Sequence, residues 1–176
     1  LGSPAYKVVQ AGAKVLGNNK DGIDFSLEDD YYGDTRFHIP FIAWYQVMNA
    51  SLALTTMEVL KDRIPVTMEQ LQAGIANTRW QGRMETILPG VIVDGAHNED
   101  GVRRFVETAE RFQKEYPLTL LFSAVNDKDY QDMIHTICSR IKFRKVVTTE
   151  VGGYREVPSA ELAEIFCKEG CKDVGN

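Results

Sequence analysis

The stretch Val91-Ile92-Val93-Asp94-Gly95-Ala96-His97-Asn98 sets a carboxylate and an imidazole three positions apart. Its β-branched residues read as a short buried strand, Asp94-Gly95 as a turn and Asn98 as the N-cap of a helix. Strand, tight polar turn and helix start are the parts of a ligand site at the carboxyl edge of a parallel sheet. Asp94 and His97 would there lie near helix-start N–H groups. The competing reading is an ordinary strand-to-helix loop with solvated polar residues. Upstream, Thr78-Arg79-Trp80-Gln81-Gly82-Arg83 is a polar loop feeding a strand. Arg83 could clamp an oxyanion bidentately, or serve as a surface ion-pair residue. Gln46 and Asn49 fall in a run with apolar residues on most faces, where a buried amide needs partners. A neighbouring loop could supply one for Asn49.

The elements that must position these groups follow from pattern. Tyr6–Val9, Ala13–Leu16, Ile23–Leu27 and Tyr31–Ile39 read as strands, with turns at 17–22 and 28–30. Pro40 can open a helix, and the run from Phe41 to Lys61 is apolar enough to be largely buried. Thr67-Met68-Glu69-Gln70 is a capping-box pattern that predicts a helix from Met68 to about Asn77. A strand is expected over Met84–Leu88. From Val91 onward strand and helix alternate: strand 91–93, helix 99–115, strand 118–122, helix 131–140, strand 143–148, helix 159–169. That alternation predicts an α/β fold, a Rossmann-like and mostly parallel sheet with flanking helices. The loops after the strands, with Asp94 and His97, Ser123 to Asp129 and Glu150 to Arg155, should gather on one sheet edge.

Composition narrows the function classes. The 176 residues carry a net charge of −5 with no basic run, which argues against nucleic acid or an anionic membrane surface as partner. No apolar stretch is long enough to span a bilayer. The cysteines Cys138, Cys167 and Cys171 lack metal-like spacing, and Cys167 with Cys171 is expected to be a packed, reduced pair. A cytoplasmic location is the corresponding expectation; a monomer is expected as well, though no sequence feature determines the oligomeric state.

Tyr45-Gln46-Val47-Met48-Asn49-Ala50, Trp80-Gln81-Gly82-Arg83, Asp94-Gly95-Ala96-His97-Asn98 and, more weakly, Asn126-Asp127-Lys128-Asp129 stand in an order and spacing that resembles the folylpolyglutamate synthase/dihydrofolate synthase family. This family is the folate branch of the Mur-type ATP-dependent amide ligases. The resemblance covers nearly the whole chain. It implies residues 1–78 as the tail of a central α/β domain and 79–176 as a C-terminal domain of the Mur ligase type.

The implied reaction joins L-glutamate to a folate or dihydropteroate carboxylate through an acyl phosphate, releasing ADP and phosphate. By the same resemblance Asn49 would contact adenine, Arg83 the phosphates and Asp94 the ribose or nearby nucleotide groups. His97, with Arg83 a catalytic candidate, would lie near the phosphate and the reacting carboxylate. ATP and Mg2+ are the implied cofactors, with the magnesium ligands mostly outside these residues. Tyr45 stands where many relatives have histidine, and Glu99 where a proline often follows the asparagine. No Gly-x-x-x-x-Gly-Lys-[Ser/Thr] phosphate loop occurs in the sequence, so the chain is expected to be a fragment, catalytically silent alone. The alternatives are another Mur-type amino-acid ligase of cell-wall synthesis and a non-catalytic Rossmann-like binding module.

Overall fold

The computed structural model describes residues 12–19 and 21–176; the strand expected at Tyr6–Val9 lies outside them. The chain divides into two compact units, the first ending at Asp94 and the second running from Gly95 to Asn176.

In the first unit β1 (Ala13–Asn19), β2 (Gly22–Leu27) and β3 (Phe37–Ile39) form an antiparallel sheet in that order. Ile23, Phe25, Leu27, Phe37 and Ile39 alternate inward and form one core with Val47, Leu54 and Leu71. The strand expected over Tyr31–Ile39 is shorter, because turn chemistry takes its first half. Asp29 accepts the N–H of Tyr31 through its side chain and that of Gly33 through its carbonyl. Tyr32 is instead buried edge-on against Phe37.

Helix α1 (Tyr45–Leu60) buries Gln46, Val47, Ala50, Ser51, Leu54 and Thr55, one stripe of its surface. The expectation of a largely buried helix from residue 41 is therefore corrected: Trp44, Met48, Leu52 and Val59 are exposed. Apolar residues on all sides do not bury a helix when only one side meets the core. Helix α2 (Met68–Ala76) begins with the expected capping box. Thr67 Oγ1 accepts from Gln70 N, and Gln70 Oε1 accepts from Thr67 N.

Strands β4 (Glu85–Leu88) and β5 (Val91–Val93) pair antiparallel as a hairpin. This corrects the expectation that 91–93 opens the parallel sheet as a buried strand: Val91 and Val93 are exposed. The reason is local. Pro89-Gly90 joins the paired residues Leu88 and Val91, with Gly90 at φ 78°. A proline followed by a glycine in the left-handed region is a reversal signal, and it returns β5 onto β4.

The second unit is α/β. Strands β6 (Leu118–Phe122), β7 (Phe143–Thr148) and β8 (Val174–Gly175) form a parallel sheet in chain order. Its flanking helices are α3 (Glu99–Gln113), α4 (Tyr130–Arg140) and α5 (Ser159–Lys168). Val102, Val106, Ile134, Ile137, Leu162 and Phe166 carry their buried faces into one core with Phe122 and Val146. Phe122 and Phe166 meet edge to face with centroids 5.3 Å apart. Pro158 offers α5 no side-chain cap, and Glu150 substitutes by accepting from both N and Oγ of Ser159.

The cysteine expectation is corrected too. Cys171 lies beyond the end of α5 and approaches Cys138, with sulfurs 3.7 Å apart, whereas Cys167 is exposed. No helix among the described residues is long and apolar enough to cross a membrane.

Candidate functional site

The loop before β4 is held in a conformation that Met84 would not adopt unaided. Gly82 has φ 65°, and Met84, with a full side chain, has φ 48°. A non-glycine residue there costs of order 1–2 kcal/mol and persists where the surroundings over-determine it. Two carboxylates do so. Gly82 N donates to Glu85 Oε2 at 2.8 Å, and Met84 N donates to Asp94 Oδ2 at 2.9 Å. The Met84 side chain is itself buried. Arg83, half-buried, is thus presented between two tethered amides.

Asp94 and Arg83 share a neighbour. Tyr45, the first residue of α1, has its phenol pKa raised, first by burial and then by the negative charge of Asp94. The positive charge of Arg83 and a hydrogen bond with Gln46 act in the opposite direction. The start of α1 therefore lies within the electrostatic reach of both Asp94 and Arg83. Asn49 lies one turn further along and is exposed, not buried as its sequence context suggested. Its Nδ2 donates to Oε1 of the buried Gln46 at 2.8 Å, so the partner is in its own helix and not in a loop. That bond orients the Asn49 amide and leaves its oxygen as an acceptor.

His97 and Asn98 belong to the second unit. Asn98 caps α3 as expected, its Oδ1 accepting from Gly101 N at 2.8 Å. His97 is exposed, and its Nδ1 lies 2.8 Å from Gly95 O. A carbonyl only accepts, so Nδ1 carries the proton of this hydrogen bond and Nε2 is the ring nitrogen not used in it. The loops after β6 and β7 meet as expected: Asn126 N donates to Arg155 O at 2.7 Å, and Arg155 pairs with Asp127 at 3.2 Å.

Glu85, Met84 and the placement of Tyr45 were not singled out from sequence as parts of a site. The spacing Gly82-x-x-Glu85 is the one local signal that could have suggested a carboxylate returning to a turn amide. A separate groove of about 510 Å³, lined in part by Glu28, Asp29, Asp34, Lys14 and Arg36, includes none of the candidate residues. Among the described residues, no three His, Cys, Asp or Glu side chains gather as a metal-binding set.

Comparisons with known proteins converge on one family. Residues 82–174 match the family described as Mur ligase, glutamate ligase domain. The chain is 36% identical over 126 residues to the dihydrofolate synthase/folylpolyglutamate synthase of Bacillus subtilis (strain 168), covering 68% of this chain and 29% of that protein. The crystal structure of folylpolyglutamate synthase from Thermotoga maritima superposes with a TM-score of 0.72 at 25% identity, over 92% of this chain and 38% of that one. A solved complex of FPGS with AMPPCP and folate superposes with a TM-score of 0.65 at 26% identity, over 93% and 40% of the two chains. The chain thus spans well under half the length of these relatives.

Proposed function

The chain belongs to the Mur ligase family through its glutamate ligase domain, and from that premise we propose that it forms part of an ATP-dependent ligase joining L-glutamate to the carboxylate of a folate or dihydropteroate. The observation that carries the reading is the loop presenting Arg83, held by Asp94 and Glu85 through the Met84 and Gly82 amides; the charges of Arg83 and Asp94 both act on Tyr45, at the head of the helix that bears Asn49. An amide that can read a purine edge, a fork of donors for phosphate and a carboxylate for ribose hydroxyls are what a nucleotide asks of its site. The names of the Bacillus subtilis relative and of the AMPPCP–folate complex support the substrate class.

Bound ATP supplies the phosphoryl group that activates the acceptor carboxylate for attack by the glutamate amine. The chain's own residues then have the following roles. Asn49, oriented by Gln46, reads the adenine edge. Arg83 lies against the phosphates and offsets charge on the transferring group. Asp94 uses Oδ2 to hold the Met84 amide, and its carboxylate faces the ribose. His97, its Nδ1 tied to Gly95 O, is the further catalytic candidate, with Nε2 as the nitrogen that would serve the phosphate and the reacting carboxylate. The donor set fits a nucleotide; it offers no cluster for Mg2+ among the described residues. We further propose residues 1–78 as the end of the central domain, 79–176 as the C-terminal domain, and a cytoplasmic location. The family match beginning at residue 82 supports that division.

The test is ADP release by the complete gene product given ATP, magnesium, glutamate and either dihydropteroate or a reduced folate. Turnover lost on Arg83→Ala supports the reading. Turnover only with a UDP-muramoyl acceptor would move the protein to the cell-wall branch.

A further inference from the structure

Arg83 sits in the middle of a loop whose two flanking peptides are each tied to a carboxylate. The Arg83–Met84 peptide donates to Asp94, and the Gln81–Gly82 peptide donates to Glu85. Glu85 is well placed for this. It is the first residue of β4, where it pairs with Val93, the residue before Asp94. One carboxylate therefore begins β4 and the other directly follows β5, and the Glu85–Val93 pair of the hairpin brings the two chain segments together. The loop they close has two left-handed residues within three positions, Gly82 and Met84. Gly82 adopts that region freely and so has no preference of its own for it, whereas Met84 is strained there; without the two restraints both peptides can turn, and the direction of the side chain between them changes with them.

We propose that Glu85 is a positioning residue for Arg83. By accepting the Gly82 N–H it fixes the entry to the loop as Asp94 fixes the exit, and together they set where the guanidinium meets the phosphates of a nucleoside diphosphate or triphosphate. Glu85 does not touch the ligand; it acts through the backbone. An acceptor oxygen at that reach is the requirement, and the negative charge is not. The proposal rests on the nucleotide reading of Arg83 given above.

The test is calorimetric titration of the complete gene product with ADP and, separately, with adenosine, which lacks the phosphates Arg83 would meet. Arg83→Ala should weaken ADP binding about tenfold or more, the loss of a charge-assisted hydrogen bond, and leave adenosine unchanged. Glu85→Ala should weaken ADP several-fold with adenosine unchanged, and the Arg83→Ala/Glu85→Ala double variant should be no worse than Arg83→Ala. Glu85→Gln, whose amide oxygen can accept the same N–H, should bind ADP as the unaltered protein does. Glu85→Asp, which keeps the charge but falls one methylene short, should resemble Glu85→Ala. These two conservative variants decide the matter should Glu85→Ala fail to fold. Unchanged ADP affinity in Glu85→Ala or Glu85→Asp, or additive losses in the double variant, would overturn the proposal while leaving the nucleotide reading intact. Unchanged ADP affinity in Arg83→Ala would overturn both.

Discussion

The backbone N–H of Met84 reaches the Asp94 carboxylate at 2.9 Å from a left-handed conformation, φ 48°. The side chain of Met84 is 3% exposed, so burial and hydrogen bond together hold the strained residue in place. Two effects oppose each other in Met84→Gly. Relief of the backbone is worth about 1–2 kcal/mol, and loss of the buried side chain costs about 2–5 kcal/mol. Destabilisation should win, read as a lower urea midpoint. A higher midpoint would show that the side chain does not hold the loop.

Alkaline pH should loosen the first unit through Tyr32. Its hydroxyl donates to Leu54 O at 2.6 Å, and its pKa is raised, chiefly by burial and then by the charges of Tyr31, Glu58 and Asp29. The unfolded chain releases this proton near pH 10 while the folded one retains it, so stability is full below about pH 10 and falls as pH rises above it. Urea midpoints at pH 9 and 11 should differ more in the unaltered protein than in Tyr32→Phe. Equal differences would remove Tyr32 as the cause.

The cysteines should react in an order set by the fold. Cys167 is exposed, whereas the Cys138 thiol is pushed up to about 12 by burial and by neighbouring Cys171. Iodoacetamide near neutral pH should label Cys167 first and Cys138 last. The three should converge in denaturant. Native labelling of Cys138 as fast as Cys167 would contradict the packing described.

Asn98→Ala should cost about 1 kcal/mol by removing the acceptor for Gly101 N at the start of α3. Asn98→Asp should retain stability, since a carboxylate both caps and suits the helix dipole. Melting temperatures of the two variants check this, and equal losses in both would argue against the cap.

What was legible in the sequence was mostly local. The cap at Asn98, the capping box at Thr67 and the periodicity of α3, α4 and α5 depend on neighbours a turn away, and they fold as their pattern requires. Val91–Val93 had the composition of a buried strand, but its partner was decided by Pro89-Gly90, a turn whose consequence is pairing and not propensity. The meeting of Cys138 with Cys171 spans 33 positions and no local spacing announces it. The candidate site divides in the same way. Arg83, Asp94, Asn49 and His97 stand out by type and motif, and Glu85 is signalled by its three-residue spacing from Gly82, whereas Tyr45 comes under the charges of Asp94 and Arg83 only through the fold.

The measurement that bears most directly on the central claim is glutamate-dependent ADP release by the complete gene product, offered ATP, magnesium and a pteridine acceptor, with Arg83→Ala and Asp94→Ala alongside. Turnover is expected, and either substitution should lower it by at least an order of magnitude, the scale of lost charge-assisted contacts to a nucleotide. Turnover undiminished in both variants, or none with any pteridine acceptor, would contradict the claim.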